Sequence, residues 1–69
     1  MKDTVYQLVN YTGVSATSIE DAVGEAIKRA HRSYKRIHWF EVTETRGSLD
    51  KGRINLWQVT VRVGVTPRS

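Results

Sequence analysis

At 69 residues the chain has the length of one domain, and such a domain buries only about 60% of the surface its unfolded form exposes, so a single core is marginal. Cysteine is absent, which excludes disulfide staples and thiolate metal sites and leaves self-association as the device that completes the fold. Eleven Lys and Arg against seven Asp and Glu give a net charge of +4, which suits an anionic partner, but the basic residues are scattered rather than clustered. Met1-Lys2-Asp3 leads straight into an alternating segment with no signal peptide, and no apolar run approaches the ~18 residues of a spanning helix. The expectation is a cytoplasmic protein, with no membrane partner, forming a single domain over residues 1–69.

Thr4 to Thr12 alternates, with Val5, Gln7, Val9 and Tyr11 on one side and Tyr6, Leu8 and Asn10 on the other, which predicts a first strand. Gly13-Val14-Ser15-Ala16-Thr17-Ser18 then has the composition of a turn feeding a helix. Two N-caps compete there: Ser18 with Asp21 three residues on, and Ser15 with Ser18. Apolar residues at Ile19, Ala22, Val23, Ala26, Ile27, Ala30, Tyr34 and Ile37 trace one continuous helical stripe. Glu20, Asp21 and Glu25 lie in its first half, and Lys28, Arg29, Arg32, Lys35 and Arg36 in its second, the order that complements the backbone dipole. With Glu25 and Arg29 spaced to pair, the basic half reads as a solvated face rather than a nucleic-acid patch. Gly24, on the polar side, costs about 1 kcal/mol relative to Ala, and close approach by another backbone is one ordinary reason to accept that.

His31 and His38 are seven residues apart, whereas a helical metal pair is spaced by three or four and needs a third ligand, so no metal site is expected. The stretch from His38 to Gly47 alternates as a second strand, with Phe40 and Val42 on one face and Trp39, Glu41, Thr43 and Thr45 on the other. An indole among polar neighbours needs a reason, and burial between subunits is the plainest one. Asp50-Lys51-Gly52-Arg53 signals a hairpin turn, and Ile54 to Val65 alternates as a third strand with Trp57, Val59, Val61, Val63 and Val65 on one face. A loop of Lys51-Gly52 pairs Trp39 with Gly64, Phe40 with Val63, Glu41 with Arg62, Val42 with Val61, Thr45 with Gln58 and Arg46 with Trp57. A bulge would shift these pairs, so the assignment of faces is firmer than the individual contacts.

Strand, helix, strand, strand with a right-handed crossover makes the first two strands parallel, with the third between them and antiparallel to both. The predicted fold is therefore α+β: β-α-β-β, a three-stranded sheet in the order 1-3-2, with one helix packed on one face. The apolar face becomes the floor for the helix. The polar face, bearing Trp39 opposite a glycine that does not shield the ring, is left to water or to other copies of the chain.

These residues resemble the dodecins, small flavin-binding proteins. The resemblance spans nearly the whole chain and rests on Gly13-Val14-Ser15, Arg29-Ala30, Trp39-Phe40-Glu41-Val42, Arg46-Gly47, Trp57-Gln58-Val59-Thr60 and Val63-Gly64. It implies a hollow homododecamer of cubic symmetry in which flavin pairs stack between the indoles of symmetry-related Trp39 residues. It further implies that Gln58 hydrogen-bonds the pyrimidine edge, and that flavin is stored and its excited state quenched without turnover, so the protein is not an enzyme. Two features of the residues agree with this. An isoalloxazine is flat and electron-poor, so an electron-rich indole is its natural partner, and the Gln58 carboxamide offers both a donor and an acceptor.

The chain departs from the family pattern at Gly64-Val65-Thr66, where many bacterial dodecins have Gly-Phe-Arg, and at Val14 and Trp57, where Thr and Tyr or Phe are common. The missing arginine leaves Arg46 to hold a phosphate bidentately, with Arg68 displaced beyond Pro67. FMN and riboflavin are both candidate ligands, and coenzyme A, which some bacterial members bind, is a weaker one. The alternative function is a small basic nucleic-acid-binding sheet, but such sheets carry two or more aromatics flanked by basic residues, and Trp39 stands alone beside Glu41. No Ser-His-acid set, paired carboxylates or phosphate loop occurs at a spacing that supports catalysis.

Overall fold

A computed structural model describes residues 5–66. Its elements are β1 (Gln7–Ser15), α1 (Ile19–Ser33), β2 (Ile37–Asp50) and β3 (Arg53–Val65). β3 lies between β1 and β2 and is antiparallel to both, giving the expected order β1-β3-β2. Thr4, the expected start of β1, lies outside the described residues, as does Arg68.

β1 does not stop at Thr12. It runs on through Gly13, Val14 and Ser15, opposite Val59, Gln58 and Trp57. Gly13 belongs to the strand because α1 passes directly over it: a Cβ there would overlap the carbonyl oxygen of Ala22 and lie 2.8 Å from the Ala26 nitrogen. Ala22, Ala26 and Ala30, all fully buried, form the seam of the helix and let its backbone approach the sheet closely. The link between strand and helix uses both candidate caps. Ser18 is the N-cap, its Oγ accepting from the Asp21 N–H at 2.9 Å. Ser15, buried, accepts from the N–H groups of Thr17 and Ser18 and donates to the Asp21 carboxylate at 2.7 Å. One donor left unpaired by the first helical turn, the Asp21 N–H, is thus satisfied within the link itself.

The helix is shorter than the apolar stripe suggested. It ends at Ser33, and Tyr34 is extended, although its N–H still bonds the Ala30 carbonyl at 3.0 Å. Ile37, the last member of the stripe, is the first residue of β2 and pairs with Val65. It reaches the same core by either route, so burial could not distinguish them, and the Ile37, Trp39, Phe40, Val42 run favours the strand.

The core is Val59, Val61, Val63 and Val65 of β3 against the three alanines of α1, with Val9, Tyr11, Val23, Ile27, Tyr34, Ile37 and Trp57 around them. The helix lies over β1 and β3 and barely touches β2. Phe40 and Val42 therefore do not floor the helix as expected: they are on its side of the sheet but 52% and 44% exposed. β2 and β3 continue past the helix as a long arm carrying exposed Leu49 and Ile54, which pair with each other. The radius of gyration, 14.3 Å, exceeds the ~11 Å of a compact chain this long. Among the described residues no helix is long and apolar enough to cross a membrane.

Gly13→Ala places a methyl group into helix backbone that cannot yield as a side chain would. The expected outcome is destabilisation by at least the 1–3 kcal/mol typical of overpacking, measured by chemical denaturation at fixed protein concentration.

Candidate functional site

The face of the sheet away from the helix is organised by β3, whose Gln58, Thr60, Arg62 and Gly64 alternate with the core valines. Four rows cross it: Val14, Gln58 and Arg46; Thr12, Thr60 and Glu44; Asn10, Arg62 and Glu41; and Leu8, Gly64 and Trp39. The expected pairs of Trp39, Phe40, Glu41 and Val42 are all present.

Beyond Val42 the register moves by one residue, and this corrects the expected partners of Thr45 and Arg46. Thr43 is an extra residue in β2, so Glu44 pairs with Thr60, Thr45 with Val59 and Arg46 with Gln58. A second irregularity, at Asn55, restores the register before the hairpin, where Leu49 pairs with Ile54 and Asp50 with Arg53. The loop is Lys51-Gly52, as expected, with both residues at positive φ, 53° and 78°, the conformation of a two-residue type I′ turn. Unbroken alternation would put Arg46 on the core face opposite Trp57, and Thr43 and Thr45 on the polar face. The bulge instead puts Glu44 and Arg46 on the polar face, with Arg46 beside Gln58. The Thr43 hydroxyl donates to the Thr60 carbonyl at 3.2 Å, anchoring the bulge to β3.

Trp39 is on this polar face and 39% exposed. It does not stand free above Gly64. The indole lies over the glycine, so that a Cβ there would collide with Cε2, Cζ2 and Nε1 of the ring. The missing side chain thus works as a seat that lays the indole down on the sheet. The Gly opposite Trp39 was visible in the sequence, and the size of an indole against the absence of a Cβ was the signal for this packing.

Charges on the face are mutually satisfied. Arg62 directs Nε and Nη2 at one Glu41 oxygen, at 3.2 and 2.6 Å, and Arg46 lies 3.6 Å from Glu44. The side chains are half exposed, so each pair is worth less than about 1 kcal/mol and orders the face more than it stabilises the fold. Thr12 and Thr60 hydroxyls bond at 2.8 Å. Among the described residues nothing engages the Gln58 carboxamide, which leaves a donor and an acceptor open on this face. His38 is set out by an irregularity between Ile37 and Trp39, bonds Thr66 Oγ1 at 2.7 Å and meets the Tyr6 ring edge-on at 5.0 Å. Among the described residues no group of three His, Cys, Asp or Glu is placed to hold a metal.

The structure brings Arg46 and Gln58 together but sets Trp39 at the other end of the same face. Six residue steps along β3 separate Gln58 from Gly64, about 20 Å of backbone at ~3.4 Å per step.

Fold and face together define a small one-helix, three-stranded domain that presents one indole among hydrogen-bonding groups on an open sheet. The dodecin family model matches residues 5–66. A dodecin from Thermus thermophilus is 35% identical over 60 residues, 87% of each chain. The solved dodecin from Streptomyces davaonensis superposes with a TM-score of 0.89 at 34% identity, covering 99% of this chain and 100% of that one. Dodecin from Streptomyces coelicolor superposes with a TM-score of 0.90 at 30% identity, covering 100% and 99%. The chain belongs to the dodecin family of small flavin-binding proteins.

Gly64→Ala should lift the indole from its seat while leaving the valine core in place. The expected outcome is an altered tryptophan near-UV circular dichroism signal with far-UV signal retained; an unchanged near-UV spectrum would mean that the ring does not rest on Gly64.

Proposed function

We propose that the chain stores flavin, FMN or riboflavin, by stacking it on Trp39 in a closed homo-oligomer, the dodecamer that the family resemblance implies, with no turnover chemistry. The observation that carries this reading is the partly exposed indole laid over Gly64 on a face that otherwise carries Leu8 and Val14 beside hydrogen-bonding and charged side chains. An electron-rich ring held in this way offers a stacking surface to an electron-poor one and quenches its excited state. Gln58 takes the pyrimidine edge through its unengaged carboxamide.

About 20 Å of β3 backbone separates the Trp39 row from the Gln58 row. The binding site in this reading is composite, because flavin stacked between the indoles of symmetry-related Trp39 residues is shared between copies of the chain. Self-association then does two things at once, since it also covers Phe40, Val42, Leu49 and Ile54, the apolar side chains α1 leaves exposed. Arg46, reoriented by the Thr43 bulge, is the residue that reads a phosphate, exchanging its long contact with Glu44 for a charge-assisted bond.

Three measurements test this. Sedimentation should find a large closed oligomer at micromolar concentration, and a stable folded monomer would remove the composite site. Trp39→Ala should keep fold and assembly yet cost several kcal/mol of flavin affinity, as expected for losing an aromatic that buries about 150–250 Å², and should restore the fluorescence of residual bound flavin. Retained affinity and quenching in that variant would show that Trp39 is a packing residue. Arg46→Ala should weaken FMN more than riboflavin by about 1.5–3 kcal/mol, the range for a hydrogen bond to a charged group, whereas equal losses would assign Arg46 to subunit packing.

A further inference from the structure

The basic second half of α1 does not neutralise itself in the way its sequence suggests. Glu25, spaced to pair with Arg29, is instead taken by Lys28 at 3.3 Å. Among the described residues no carboxylate lies within ion-pair distance of Arg29, Arg32, Lys35 or Arg36. All four are exposed, as is His31 between them. The other acids of the helix are in its first turn, and the Asp21 carboxylate accepts from the Ser15 hydroxyl. Lys28, Arg29 and Arg32, with Glu25, line a shallow groove of about 200 Å³ on the outside of the helix. This groove is on the opposite side of the sheet from Trp39, so it is independent of the flavin face.

We propose that the outer face of α1 bearing Lys28, Arg29 and Arg32, followed by Lys35 and Arg36 in the link to β2, is a docking surface for the phosphate backbone of nucleic acid. Charge complementarity selects the partner. Lys28 and Arg32 are one turn apart, about 6 Å along the helix, which matches about two phosphates of a DNA strand at ~3.4 Å each. A membrane surface fits less well, because an interfacial helix must insert an apolar stripe, and the stripe of α1, centred on Ala22, Ala26 and Ala30, is turned to the sheet. The contacts are to phosphate, so the surface takes nucleic acid without regard to sequence. Repetition of the face on each copy of an oligomer raises its avidity without new contacts.

The test is fluorescence anisotropy of a labelled random-sequence DNA duplex titrated with the flavin-free full-length protein at several salt concentrations. With about four phosphates neutralised per copy, affinity should fall about 100-fold between 50 and 200 mM salt. Arg29→Glu with Arg32→Glu should lose binding by more than tenfold. Lys51→Glu with Arg53→Glu at the hairpin tip, an identical change in net charge, should stay within about threefold of the parent. Trp39→Ala should bind DNA unchanged, which separates this surface from the flavin reading. Should the glutamate variant misfold by circular dichroism, Arg29→Gln with Arg32→Gln replaces it and should lower the salt slope by about two. Equal losses in the helix and tip variants, salt-insensitive binding, or equal binding to poly-glutamate or to anionic phospholipid vesicles would overturn the proposal.

Discussion

The contact on which the rest of the molecule depends is the backbone-to-backbone approach of α1 to Gly13. No side chain stands between the strand and the Ala22–Ala26 segment, so the helix is fixed over β1 and the adjoining valines of β3. A single helix is too narrow to cover a third strand as well. Setting it over β1 and β3 leaves β2 uncovered, with Phe40 and Val42 half exposed and the β2–β3 arm extending beyond the helix. An elongated protomer with an apolar strip on one face has more to gain from other copies than from any further folding of its own, and an absence of disulfides leaves it no other staple.

The opposite face follows from a different constraint, the register of β2 on β3. Two irregularities, at Thr43 and Asn55, offset one another, so the hairpin keeps its two-residue turn while its middle is shifted by one residue. A one-residue shift moves a side chain from one face to the other, and this brings Glu44 and Arg46 to the side of Trp39. Without it Arg46 would lie on the opposite face, across from Trp57 and away from Gln58. Core and polar face are thus kept consistent by a local irregularity that period-two reading cannot detect.

The legible part of the fold was the part governed by alternation and spacing. Ile54 to Val65, the Lys51-Gly52 turn and the Ser18 cap all follow from local chemistry, and the 1-3-2 order follows from the handedness of the crossover. Trp39 was legible as an indole on a polar face, and its pairing with Gly64 came from turn length. What was not legible was set by tertiary partners. Ile37 is buried equally by helix or strand, Gly13 is a turn residue until a helix is known to pass over it, and Phe40 looks like floor until the helix is known to lie elsewhere. Arg46 was named for its charge, but its place beside Gln58 depends on the bulge.

The separation of Trp39 from Gln58 gives assembly a role beyond stability. Residues on one rigid sheet keep a fixed backbone distance, here about 20 Å, so only their long side chains and a ligand between them could join these two within one chain. In the proposed site a second copy of the same face would place its carboxamide end at the first copy's indole end. A two-fold relation between copies satisfies that for both sites simultaneously, because each chain then supplies one indole and one carboxamide. The apolar strip of Phe40 and Val42 lies on the other face of the sheet, so its burial would be a separate contact, while the Glu41–Arg62 pair would let the polar face enter an interface without an isolated charge there. Fold, assembly and site are therefore one problem for this chain: the helix position that leaves the protomer incomplete also leaves exposed the surfaces through which a partner would complete both its core and its binding site.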